Sequence, residues 1–500
     1  MRSKFEHLLS VDPIGAFEKV KDNYKRYFQS AYMLRTDLSL DEDSAIDNER
    51  VKLLDTDDNL YKSPYLEMMP EYESAGIQSV TCLAKEYEPS FASKEGATLF
   101  FDFIKKGLMS YPPYGHQVEM LKKAFGEKHN AVITSGTGSG KTESFLLPLL
   151  AQIFKEALTW PQANYDAAWF VPRERARTQY VPRQRSDESR DAAIRAIVLY
   201  PMNALVEDQV RRLREALDSA EVRALMDEEL QKNRIFFGQY NGSTIGQKSY
   251  KLLKRGNVNK FVRAKQSVLK ELNKLKAFYD VAQNELVDPN CPDELKKDLE
   301  YITARLDGNT PTAEMLTRWD MQECPPDILI TNVSMLSIML MRSAEEDMIL
   351  QTKDWLAADP WRKNEANEPT RIFHIVVDEL HLYRGTAGSE VGCLLRMLLL
   401  QLGLTPVIEK DGKKIPNPQL RILASSASLG DANETLEFLQ QFFGVYSEDE
   451  DHYPSFVVSE GTDYKPKGNN LDVPYDKFQK LIRRSSNYQI EINTIKWMNL

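Results

Sequence analysis

Between residues 99 and 443, short apolar runs alternate with stretches whose apolar residues recur every three or four positions. This alternation predicts strands interleaved with helices, and so a parallel sheet covered on both faces. Strands are expected at 131–135, 168–171, 195–200, 234–238, 327–331, 372–377 and 421–425, each a short, mainly apolar run. Two long interruptions break the series. One is arginine-rich, with Arg173, Arg175, Arg177, Arg183, Arg185 and Arg190 close together. The other, about 247–314, has helical spacing: Val268, Leu272, Leu275 and Tyr279 form one stripe, and Leu295, Leu299, Ile302 and Leu306 a second. Separated by Asp288 to Pro292, the two stripes predict an antiparallel helical hairpin whose apolar faces pack on each other.

Outside this series the pattern weakens. Residues 1–95 are acidic and mixed, with helical spacing near 14–32 and a polar, turn-rich stretch around 41–47, and are read as an N-terminal accessory region. Residues 96–445 form the main α/β domain. Residues 446–500 open on an acidic run and contain Gly461, Pro466, Gly468 and Pro474, which suits a linker or the start of a further lobe. No internal repeat or low-complexity tract is present.

Composition narrows the class without naming a chemistry. A chain of 500 residues is too long for one compact core, and 42% hydrophobic with 28% charged residues is ordinary for a globular protein. No apolar run approaches the ~20 residues needed to cross a bilayer, and the start MRSKFEHLLSVDPIGAFEKV lacks a secretory core. A cytoplasmic protein without membrane partners is expected. Cys82, Cys291, Cys324 and Cys393 have no metal-binding spacing. The net charge of −10 argues against a uniformly nucleic-acid-binding surface. Two local basic patches remain candidates for phosphate contacts: the arginine cluster, and the stretch from Lys248 to Lys276, whose only acid is Glu271.

The chemistry is concentrated in two places. Ser135, Gly136, Thr137, Gly138, Ser139, Gly140, Lys141 and Thr142 lie between an expected strand and an expected helix. A glycine-rich turn there points backbone N–H groups at an anion, and the helix N-terminus adds partial positive charge. Lys141 would reach the terminal phosphates of ATP, and the Thr142 hydroxyl would ligate Mg²⁺. The general pattern G-x-x-x-x-G-K-[ST] has Gly where this chain has Ser135. The second place is Asp378-Glu379 at the end of the run 372–377, where open α/β sheets place ligands. Asp378 suits a Mg²⁺ ligand, and Glu379 suits the base that orients and deprotonates water.

With these motifs and their order, the chain resembles the first motor domain of superfamily 2 DEAD/DEAH-box-like helicases. Gln117 in YGHQVEML stands where that family has its adenine-contacting glutamine. Pro201-Met202-Asn203-Ala204-Leu205, with Gln209 beyond it, resembles motif Ia, and Thr331-Asn332 resembles the motif Ib region. Ser426-Ala427-Ser428 resembles motif III. The resemblance implies that Pro201, Asn203, Thr331 and Asn332 line a nucleic-acid track, and that Ser426 and Ser428 relay nucleotide state to it through His381. The segments DPIGAFEKVKDNYKRYFQSAY, TRWDMQECPPDILITNVSML and VVDELHLYRGTAGSEV further resemble large bacterial anti-phage defence helicases of the DISARM and Druantia type and MrfA-like DNA helicases, over roughly residues 10–445.

The expected architecture is therefore α/β: a RecA-like parallel-sheet P-loop NTPase domain with a helical insertion and an N-terminal accessory region. The expected activity is that of an ATP- and Mg²⁺-dependent DNA helicase or translocase, with defence-system subunits as possible partners. Two alternatives stay open, an RNA helicase and a nucleotide-gated DNA-binding scaffold that does not unwind. After Ser428 no segment resembles the arginine-finger motif of a second lobe. That arginine is worth ~10³–10⁵ in rate in related NTPases, so these residues alone are expected to hydrolyse ATP poorly.

Overall fold

The computed structural model describes residues 72–461 except 137, 173–177, 186–188, 202, 290, 293–294, 297–298, 300–310 and 428–431, together with 13–31, 49 and 52. Two compact units divide the chain, Met1–Pro70 with Lys465–Leu500, and Glu71–Tyr464. In the first, the helix Pro13–Ala31 occupies the region where the sequence has helical spacing. The boundaries drawn from sequence at 95 and 445 both fall inside the second unit.

The second unit is built on an eight-stranded sheet. Its strands are β1 (Ala131–Thr134), β2 (Ala196–Tyr200), β3 (Phe237–Gln239), β4 (Glu314–Met315), β5 (Ile328–Asn332), β6 (Phe373–Val377), β9 (Leu420–Ser426) and β10 (Val457–Glu460). Between β6 and β9 a separate antiparallel hairpin forms from β7 (Val407–Lys410) and β8 (Lys413–Pro416). The order across the sheet is β10-β1-β9-β6-β2-β5-β3-β4, and all neighbours are parallel. This is the RecA-like fold expected from the alternation of runs. The central strands read as continuous apolar runs because both of their faces are covered. In β2, Ala196, Val198 and Tyr200 join the core on one side, while Ile197 and Leu199 join the core on the other. The helices Lys94–Gly107, Lys141–Ala157 and Ala220–Glu229 fill the first side, and Glu346–Ala357 and Val333–Met341 the second.

Four differences from the sequence reading have physical causes. The run 168–171 is a turn, not a strand. Trp169 and Phe170 are drawn into a third apolar cluster with Tyr180, Tyr250 and Trp319, and Pro172 has no N–H for a ladder. The stripe Val268, Leu272 and Tyr279 on the helix Val258–Val287 packs into that same cluster, so the insertion is anchored on the main unit as well as within itself. Most of its expected second arm lies outside the described residues. Third, the segment read as linker contains β10, which pairs with β1. A four-residue edge strand preceded by acids and Pro454 carries too little pattern to stand out. Last, β4 and the hairpin escape notice for the same reason of length.

Among the described residues no helix is long and apolar enough to cross a membrane.

Candidate nucleotide site

The end of β1 leads directly into the loop, and Gly140 caps the helix Lys141–Ala157 with left-handed backbone (φ 72°). Only glycine adopts this freely, and a Cβ there would come within 2.3 Å of Gln117 Nε2. The departure at Ser135 has a role of its own. Its Oγ lies 2.6 Å from Ser139 Oγ, and Ser139 Oγ donates to the Gly136 carbonyl at 3.0 Å, closing the loop from inside. His116 Nε2 lies 2.8 Å from the Ser139 carbonyl. Gln117 Nε2 donates to the Gly140 carbonyl at 3.2 Å, while its Oε1 accepts from Tyr114 N at 2.9 Å. Gln117 is fully buried. Its amide serves the loop. Gly138 also has positive φ (78°). Thr137 lies outside the described residues.

At the end of β6, the chain turns through Glu379 in the left-handed region (φ 51°), an uncommon conformation for a side-chain-bearing residue. The turn is held because Glu379 N donates to Asp378 Oδ1 at 3.1 Å and to Ser425 Oγ at 3.2 Å. Ser425 Oγ in turn donates to Asp378 Oδ1. Burial pushes the Asp378 carboxyl above its usual range, and the neighbouring Glu379 adds to that, while Ser425 and Lys141 oppose it. Lys141 Nζ reaches across from the loop to within 3.3 Å of Glu379 Oε1. The tertiary structure thus brings Lys141 to Asp378 and Glu379 across the carboxyl ends of β1 and β6, with Thr142 following Lys141 in its helix.

His381 connects the acids to the end of β9. Its Nδ1 lies 3.3 Å from Glu379 Oε2 and 3.3 Å from Ala427 N. The Ser426 carbonyl accepts from Ser135 N at 3.1 Å, so the motif III segment touches the loop as well. Ser428 lies outside the described residues. Two contributors were not singled out as site residues in the sequence. Ser425, not Ser426, carries the hydrogen bond to Asp378. Gln209 Nε2 donates to Thr142 Oγ1 at 3.2 Å, tying the motif Ia helix Asn203–Asp218 to the loop. The motif resemblance already pointed at Gln209, whereas nothing in Ser-Ser-Ala-Ser says which serine faces the acid.

The expected nucleic-acid track is only partly displayed. Thr331 is wholly buried and donates to the Tyr240 carbonyl at 2.7 Å, so its side chain cannot line a surface. Asn332 Oδ1 caps the next helix at Met335 N, 2.7 Å away. Pro201 is half-buried. Asn203 starts its helix, and its side chain lies outside the described set. The arginine cluster is corrected more strongly. Arg183 donates to the Ala168 carbonyl at 3.1 Å and pairs with Asp166. Arg185 and Arg190 turn inward to Asp327. They hold the fold together where the sequence suggested phosphate contacts; Arg173, Arg175 and Arg177 lie outside the described residues. The basic stretch on Val258–Val287 does remain largely exposed.

No metal site is fully formed by protein groups: among the described residues, no cluster of three His, Cys, Asp or Glu could hold an ion. The Thr142 hydroxyl and the Asp378 carboxylate are hard oxygen donors, the first next to Lys141 and the second next to Glu379, which fits Mg²⁺, an ion that keeps several waters and takes few protein ligands.

A glycine loop clasped to a helix N-terminus, with a lysine facing a strand-end acid pair on a RecA-like sheet, has the layout of a P-loop domain. Residues 114–245 match the DEAD/DEAH box helicase family. The chain is homologous to the Druantia protein DruE of Escherichia coli (strain UMEA 4076-1), with 31% identity over 451 residues, 86% of this chain and 21% of that protein. The chain therefore spans about a fifth of the length of this curated relative. Among solved structures it is similar to the DUF1998 helicase MrfA bound to DNA, at 15% identity and TM-score 0.34 over 72% of this chain and 29% of that one. It is also similar to the Mycobacterium smegmatis helicase Lhr bound to ssDNA and AMP-PNP, at 15% identity and TM-score 0.38 over 78% and 32%.

Proposed function

We propose that this chain is the first motor lobe of an ATP-dependent DNA helicase or translocase that works with partner subunits in anti-phage defence. The observation that carries the reading is the meeting of Lys141 with Asp378 and Glu379 at the mouth between the carboxyl ends of β1 and β6, with Lys141 paired to Glu379. An incoming triphosphate would meet the loop N–H groups and draw Lys141 from Glu379 to its terminal phosphates. That exchange frees Glu379 to accept the proton of the attacking water. Asp378 and Thr142 would hold Mg²⁺, which neutralises phosphate charge. His381, between Glu379 and Ala427, would carry the state of the mouth to the end of β9. The exposed lysines of the insertion supply backbone-directed, sequence-independent contacts. Resemblance of the longer segments to DNA helicases favours DNA over RNA, and homology to a Druantia protein favours defence.

Calorimetry with Mg·ATP tests the site. Lys141→Ala should lose measurable affinity, whereas Glu379→Gln should bind as the parent does and lose turnover in a motor completed by a second lobe. Equal ATP affinity in Lys141→Ala would sink the loop assignment. Parallel salt titrations on single-stranded DNA, duplex DNA and RNA should rank RNA last, and RNA binding tighter than both would reverse the polymer choice.

A further inference from the structure

The parallel sheet has a second end, and a large cavity of about 1120 Å³ opens there. Its wall includes Asn130, Arg195, Ile372 and Pro454, which sit at or just before the amino ends of β1, β2, β6 and β10. The nucleotide mouth uses the opposite, carboxyl ends. Along β9, Arg421 belongs to the cavity wall and Ser425 to the mouth, so the two are separated by roughly 13 Å at ~3.3 Å per residue.

Charge in this cavity is unbalanced. Arg190 and Arg195 are answered by Asp327 and Glu156, and Arg371 by Asp191. Arg421 is not answered. It is only 6% exposed, yet among the described residues its guanidinium has no hydrogen bond or ion pair. Burial alone pulls it down to about 9, with no acid acting to hold it up. A guanidinium buried without a counter-charge is costly unless something supplies the anion. Lys155, also on the wall, makes no hydrogen bond or ion pair among the described residues. Burial and the Lys128 charge lower its ammonium. Glu368, the acid beside these lysines, pairs with Lys128 at 2.5 Å and is itself exposed.

We propose that this cavity is an anion site separate from the nucleotide loop, taking the phosphate group of a small phosphorylated ligand on Arg421 and Lys155. The guanidinium fork presents paired N–H donors matched to a phosphate edge, and a second cation suits a dianion better than a carboxylate. Trp361 and the half-exposed Tyr453, on the same wall, leave apolar planes for whatever the phosphate is attached to.

The test uses the whole chain carrying Lys141→Ala, so that the loop does not dominate. Inorganic phosphate, pyrophosphate and AMP are each titrated while tryptophan fluorescence and Tm are followed. Saturable binding with a rise in Tm is expected in that background, weakened at least ten-fold when Arg421→Met or Lys155→Met is added. Arg421→Met should also raise the Tm measured without anion, because it removes an unanswered buried charge. Tightest binding by phosphate identifies a free oxyanion as ligand, and tightest binding by AMP a phosphorylated nucleoside; both support the site. The proposal is overturned if no probe binds at millimolar concentration, or if binding disappears with Lys141→Ala alone. Undiminished binding in both cavity variants overturns it too. Should Arg421→Met not fold, Lys155→Met decides by itself.

Discussion

Asp327, just before β5, and Asp378, just after β6, are two buried aspartates at opposite ends of one sheet, and their surroundings push them in opposite directions. Burial would raise both. At Asp327 that push is outweighed by Arg190, Arg185 and Arg195, and the carboxyl is held well below its ordinary range. Arg190 grips it with two bonds of 2.8 Å, Arg195 adds one of 2.7 Å, and Phe236 N adds another of 2.8 Å. At Asp378 no cation bonds directly among the described contacts, Ser425 offers one hydroxyl, and Glu379 adds a like charge, so burial wins. The first aspartate is satisfied by the protein. The second is left short of positive charge, and the left-handed turn at Glu379 lies beside it. Of these two aspartates, the one at the amino end anchors the fold, and the one at the carboxyl end keeps an unmet electrostatic demand.

The largest effect should come from breaking that contrast directly. Asp327→Asn leaves three buried arginines without their shared counter-charge and should cost about 3–5 kcal/mol in urea unfolding. Asp378→Asn should leave stability unchanged or slightly higher, since a desolvated charge is removed, while turnover is lost. Equal destabilisation by the two would erase the distinction.

A somewhat smaller effect concerns acid. His374 in β6 is buried, and burial first, then the charge of Arg421, pulls its imidazole down to about 3. A folded value below the unfolded one, ~6.5, means the contribution is present above that pH and lost as pH falls from there toward 3. Replacing His374 with Phe should flatten the acid limb of the stability profile by up to about 1.4 kcal/mol per pH unit. Parallel limbs for parent and variant would show that His374 is not the group.

Ser425→Ala should cost roughly 1.5–3 kcal/mol, because a buried carboxylate and the Glu379 N–H both lose a partner. Turnover should fall more than ATP affinity, since the groups displaced are the acids and not the loop. A variant that lost affinity and kept its rate would place Ser425 elsewhere in the mechanism.

The smallest change belongs to the exposed arm. Lys274 pairs with Glu271 at 3.0 Å, with both side chains well exposed, so Lys274→Ala should move stability by less than about 0.5 kcal/mol. If the arm grips phosphates, the same variant reduces the salt slope of DNA binding by about one charge. An unchanged slope would remove Lys274 from the contact.

Legibility in the sequence followed the range of the interaction. Strand positions are local: a run such as Ala196–Tyr200, buried on both faces, is apolar along its length. The loop and the acid pair were legible because phosphate binding needs consecutive residues in a fixed local conformation, and Gly140 and Lys141 supply it by adjacency. The arginine cluster was read as a surface patch, because composition does not tell a solvated guanidinium from one turned onto Asp327 far along the chain. Thr331 matched a motif by position, yet its hydroxyl was claimed by Tyr240 in a neighbouring connection.

By itself, then, the sequence determined an alternating α/β chain, a glycine-rich strand-to-helix loop and a strand-end acid pair, all specified by short-range steric and hydrogen-bonding rules. Only the tertiary structure decided that Ser425 rather than Ser426 supports Asp378, that β10 closes the sheet beside β1, and that Asp327 gathers three arginines while Arg421 has none. Each of those depends on which distant strands become neighbours, and on the loss of water between them, which turns an ordinary charge into either an anchor or a demand.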